Sequence, residues 1–196
     1  MTLQPAGALD VESVVTLKAP AREAWKNLRD LDPSLPPDPF APGLWRGLGP
    51  QAKIVPTDAG TTLGFGIAEP KKFFPGLKAS PGEWDLVIDR ATVRKLASMS
   101  SWGDSPALDS LIPSPETQVT EADYRDLLAY FLGPNVSSQA ARALIDGSTV
   151  QLTLIAPRPV VSAEGAVSVT GNQAVYRWPL VRVLALTTPI RLHLTF

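Results

Sequence analysis

The last seven residues alternate without a break: Ile190, Leu192, Leu194 and Phe196 are apolar, while Arg191, His193 and Thr195 between them are polar. A period of two marks a β-strand with one face in a core and the other in water. The same period recurs at Val150, Leu152 and Leu154 against Gln151 and Thr153, and at Ala174, Tyr176 and Trp178 against Val175 and Arg177. It opens the chain too, where Val11, Val15, Leu17 and Ala19 alternate with Glu12, Thr16 and Lys18. Residues 52–55 and 61–67 read as a hairpin around Pro56-Thr57-Asp58-Ala59-Gly60, and Trp84 to Ile88 as another strand.

Helical spacing interrupts these strands. Ala24, Trp25, Leu28 and Leu31 predict a short helix over 20–31, opened by Pro20 and ended before Pro33. Val93, Leu96 and Ala97 predict a second over 90–98. Thr120-Glu121-Ala122-Asp123 has the form of a capping box, and Tyr124, Leu127, Leu128, Phe131 and Leu132 follow at helical spacing up to Gly133-Pro134. Ser137 or Ser138 then caps a helix whose predicted buried face is Ala140, Ala141, Leu144 and Ile145, ended by Gly147. Only strand patterns follow. The expected fold is α+β: a single domain over 1–196, with a mostly antiparallel twisted sheet and a few helices on one face. Residues 1–8 form a tail, and the Pro/Ser-rich loop 98–119 is expected to be the most mobile segment.

The 196 residues suit one domain, and 44% hydrophobic with 19% charged residues is a composition that folds. Lys plus Arg total 18 against 19 for Asp plus Glu, so there is no general attraction to nucleic acid, and none is expected as a partner. Absence of Cys excludes disulfides, thiolate metal sites and Cys nucleophiles. No window reaches the roughly 18–20 apolar residues of a membrane-spanning helix. Residues 1–8 lack the basic and apolar regions of a secretory signal, which leaves two expectations: a cytoplasmic protein, or one whose leader Met1 replaces.

Little in the sequence carries chemistry. His193 is the only imidazole, it lies on a strand, and no Gly-x-Ser-x-Gly elbow accompanies it. A zinc site would have to combine it with three carboxylates, far from the usual ligand preferences, so neither metal nor cofactor is expected. Gly64-Phe65-Gly66 and Gly47-Leu48-Gly49 lack the rest of a phosphate cradle and read as bends or close packing. Asp30 with Asp32, and Asp104 with Asp109, read as solvated turn formers. Lys71, Lys72, Phe73 and Phe74, between Pro70 and Pro75, form the candidate ligand or membrane contact, since two cations beside two aromatics suit an anionic membrane surface. The other reading packs Phe73 and Phe74 inward and leaves the lysines in water. Trp25, Trp45, Trp84 and Trp178 fall in or near core elements.

Two resemblances bear on function. Val150-Gln151-Leu152-Thr153-Leu154, then Pro157, Val160 and Gly165, then Val175, Trp178, Pro179 and Leu180, are similar to the C-terminal part of the LppM-like domain of bacterial envelope lipoproteins. Glu164 stands where that family often shows Asn, and no acylatable Cys is present. This resemblance implies a globular domain at the cell envelope that holds lipid in an apolar cavity, with no catalytic residues. Val14 to Trp25 resembles the opening strand and helix of START-like hydrophobic-ligand proteins, although that fold closes with a long helix and this chain with the strand pattern 188–196. The expected function is non-catalytic binding of a lipid or other apolar ligand. The alternative is a structural or protein-interaction module without a small ligand.

Overall fold

The computed structural model describes residues 9–15, 26–27, 29–30, 33, 37, 53–57, 60–67, 74, 76–98, 112, 114, 116–132 and 137–196. The predicted hairpin is present as β2 (Lys53–Thr57) and β3 (Gly60–Ile67), paired antiparallel with Thr57 opposite Gly60. β1 (Leu9–Val15) runs antiparallel to β3 and also to β6 (Thr149–Ile155). β9 (Gln173–Pro179) and the short β8 (Ser168–Thr170) complete a six-stranded sheet in the order β2-β3-β1-β6-β9-β8. The C-terminal alternation forms β10 (Ile190–Thr195), which pairs with β5 (Glu83–Ile88) in a second sheet ordered β4-β5-β10-β7. Its edges are β4 (Lys78–Ser80) and β7 (Ser162–Ala163). Pro81 and Gly82 join β4 to β5, and Gly82 holds φ +92°, a conformation that suits glycine in a turn opened by proline. Among the described residues, four bounded helices complete an α+β fold: α1 (Arg90–Ser98), α2 (Glu121–Leu132), α3 (Ser138–Asp146) and α4 (Leu180–Ala185). Among the described residues, no helix is long and apolar enough to cross a membrane.

The alternating residues of both sheets meet in one core. Trp84 and Leu86 of β5 and Ile190, Leu192 and Leu194 of β10 pack with Leu152, Leu154, Ala174 and Tyr176 of β6 and β9. Register makes this possible. Leu192 stands opposite Leu86 and Leu194 opposite Trp84 in one sheet, Leu152 opposite Tyr176 and Leu154 opposite Ala174 in the other. Phe196 closes the row with an edge-on contact to Trp84 at 4.8 Å between ring centres.

A second core belongs to the helices. Tyr124 of α2, Ala141 and Ile145 of α3, and Val181 and Ala185 of α4 are buried together. The capping box forms as predicted: the Thr120 amide donates to the Asp123 carboxylate at 2.7 Å, and the Asp123 amide donates to the Thr120 hydroxyl at 3.2 Å. The Thr120 amide and the Thr120 hydroxyl, both donating to the carboxylate, hold the Asp123 carboxyl below its ordinary value. Ser137 caps α3 by accepting from the Ala140 amide at 3.2 Å. The expected buried face of α3 is corrected at Ala140, which is exposed.

Residues 180–185 also depart from the strand pattern expected of them. Leu180 to Leu186 is a nearly continuous apolar run, which periodicity alone cannot assign. Helical geometry lets Val181, Leu184 and Ala185 face the helical core while Val183 and Leu186 reach the core between the sheets. A strand would have put 181, 183 and 185 on one side. Leu186 ends α4 in the left-handed region at φ 39°, and its amide donates to the Arg182 carbonyl at 3.0 Å. That conformation costs a non-glycine residue about 1–2 kcal/mol, offset here by burial of the leucine side chain.

Arg90 ties the two cores together. Asp89 caps α1 by accepting from the Thr92 amide at 2.8 Å, which sets Arg90 at the first helical position. Its guanidinium is buried and donates to main-chain carbonyls: Ala185 at 2.7 Å, Ser114 at 3.3 Å, Val119 at 3.4 Å, and Thr117. The C-terminal end of α4 and the segment before α2 are thus held by one side chain.

Candidate functional site

Of the four residues expected to contact ligand or membrane, Lys71, Lys72 and Phe73 lie outside the described residues. Phe74 is 4% exposed and belongs to the core between the sheets. The reason is local: its carbonyl accepts the Leu77 amide at 2.9 Å in a tight turn, and both side chains enter the core. The reading of Phe74 as a membrane-inserting residue is corrected accordingly.

The core itself holds one unusual group. Tyr176 sits on β9 between Ala174 and Trp178, with its ring fully buried and stacked on Trp178 at 5.8 Å between centres. Its hydroxyl is buried and, among the described residues, has no hydrogen-bond partner. Burial pushes its pKa up, so it stays a neutral donor. A buried hydroxyl left unpaired costs about 1–3 kcal/mol, which is why such groups are rare in cores. The other buried polar residues among those described are Thr153 of β6, Arg90, whose guanidinium donates to main-chain carbonyls, and Thr92, whose hydroxyl donates to the Asp89 carboxylate at 2.8 Å.

The opposite face of β5 and β10 is polar. His193 stands directly across from Asp85, and Glu83 lies two residues along β5 on the same face. The His193 Nδ1 is 2.8 Å from Asp85 Oδ1 and 3.7 Å from Glu83 Oε1. The hydrogen bond to Asp85 raises the His193 pKa, partial desolvation opposes this, and the charges of Asp85, Glu83 and Glu164 reinforce it. The imidazole is oriented by a carboxylate, as in a catalytic dyad, yet among the described residues it bonds no hydroxyl that it could activate. This arrangement can hold a proton or another cation.

None of this grouping was visible along the chain, because His193 and Asp85 are 108 residues apart. Acidic residues alternating on Glu83-Trp84-Asp85 were the one available signal. Compared with family models, curated proteins and solved structures, the chain matches none.

Proposed function

We propose that this domain binds, without catalysis, an apolar ligand that carries one hydrogen-bonding group, such as a fatty acyl chain with its carboxyl or ester oxygen. The observation that carries the reading is the orphan hydroxyl of Tyr176, fully buried among Leu152, Leu154, Leu192 and Leu194. A donor held neutral in an apolar core recognises an acceptor oxygen, and apolar walls with a few placed polar groups are the usual makeup of such sites. The resemblance of 150–180 to lipid-holding envelope domains lends the same direction.

The test is uptake of a fluorescent fatty acid by wild-type and Tyr176→Phe protein. Saturable uptake that weakens at least fivefold in the variant supports the reading. No uptake by the wild type, with a variant as stable or more stable, means that the hydroxyl is an ordinary core imperfection and removes the reading.

A second reading, a protein-interaction module, rests on a different observation. Val161, Val167 and Val169 are 82%, 57% and 44% exposed; Val161 and Val167 directly precede β7 and β8, one outer strand of each sheet, and Val169 lies within β8. An open strand edge bordered by exposed valines suits pairing with an extended segment of a partner protein. Failure of ligand uptake, together with binding of an extended partner segment that Val167→Lys abolishes, would put this reading first.

A further inference from the structure

The outer face of β5 and β10 brings three metal-ligating side chains to one point. The donor atoms of Glu83, Asp85 and His193 all lie within 4.8 Å of one another. Ligand atoms around a single tetrahedral zinc ion stand roughly 3.3–3.6 Å apart, given bonds of about 2.0–2.2 Å. Closing that gap requires a movement of about an ångström, which an exposed side chain can make, and Glu83 is half exposed at 49%. The backbone beneath is fixed, because Trp84, Leu192 and Leu194, which alternate with these ligands, are buried core residues.

Charge points the same way. Glu164 flanks His193 from the other side, where its amide donates to the His193 carbonyl at 3.0 Å, and its carboxylate is close enough to act on the imidazole. Three carboxylates around one imidazole leave an excess of negative charge at the centre. Lys78, across from Asp85 on β4, and Arg191, two residues before His193, are the cations of the same face. A dication between the carboxylates is matched by more than one of them, which a protonated imidazole is not.

We propose that Glu83, Asp85 and His193 form a divalent transition-metal site on the outer face of the second sheet. One imidazole with carboxylates suits zinc and its first-row neighbours, whereas calcium and magnesium favour oxygen alone. The metal takes Nδ1, the ring nitrogen that faces the carboxylates, and leaves the solvent side of its coordination shell open. The site is separate from the buried Tyr176 region, so it stands or falls independently of ligand binding.

The test uses the full chain, stripped with a chelator and returned to chelator-free buffer, titrated with Zn²⁺ alone. Calorimetry should give one ion per chain, and the melting temperature should rise with zinc concentration. Because His193 is the chain's one histidine, its ring nitrogens give a single set of nuclear magnetic resonance signals, and Nδ1 should move on titration. Asp85→Asn should weaken binding at least tenfold and His193→Gln should abolish it, while Glu121→Gln, on α2, should change nothing. Absence of saturable binding, binding that leaves the ring signals unmoved, or binding retained by His193→Gln would each overturn the site. The wild-type ring signals decide the matter even where a variant fails to fold.

Discussion

The two faces of β5 and β10 share a backbone and differ in everything else. Inward, Trp84, Leu86, Leu192 and Leu194 are each no more than 5% exposed and are interchangeable members of an apolar core. Outward, His193 pairs with Asp85 at 2.8 Å and stands 3.7 Å from Glu83, all three partly exposed. The inner face works through the amount of surface removed from water, which is non-directional. The outer face works through geometry and charge. One face therefore acts through buried area and the other through paired charges, a division that mutation can probe.

The largest effect should come from the inner face. Leu192→Ala should cost about 2–5 kcal/mol, while Arg191→Ala beside it stays within about 0.5 kcal/mol, as measured by chemical denaturation. Equal effects would break the comparison by placing the strand in another register. Arg90→Ala should cost about 3 kcal/mol, since it removes charge-assisted hydrogen bonds from a buried guanidinium to the main-chain carbonyls of α4 and of the segment before α2. A cost near zero would mean that these carbonyls reach water. Thr120→Ala should cost about 1 kcal/mol through loss of the α2 cap. The smallest effect belongs to His193 in chelator-treated protein. Its folded pKa is raised, so its contribution is fully present below the ordinary value near 6.5 and is lost as pH rises through the folded value. Melting temperature should therefore fall across that interval in wild type and lose this component in His193→Gln. Asp85, Glu83 and Glu164 act on this group, with Lys78 and Arg191 on the same face.

Much of the fold was legible where burial leaves a local period. β5, β6, β9 and β10 follow their alternation, and α2 and α3 follow their caps and apolar stripes. Legibility fails for β4, β7 and β8, which have two or three mostly exposed residues each and so carry no period at all. It fails for α4 because two cores on opposite sides, rather than local propensity, decide its conformation. Tyr176 was legible as a core residue by alternation, yet nothing in the sequence announces that its hydroxyl lacks a partner. The predicted helix over 20–31 is helical at Lys26, Asn27, Arg29 and Asp30, and its remaining residues, like most of 98–119, fall outside the described ones. The candidate contact at Lys71 to Phe74 was drawn from composition, which reports the presence of aromatic and cationic groups but not that the turn at Phe74 sends this ring into the core.

Native mass spectrometry of wild-type and Tyr176→Phe protein, prepared side by side without delipidating steps, tests the central claim that the core between the sheets receives an apolar ligand. The expected wild-type species is heavier than the bare 20.9 kDa chain by the mass of one lipid-sized molecule, released under denaturing conditions and depleted in the variant. Bare chain in both preparations, after both have also been incubated with excess fatty acid, would contradict it.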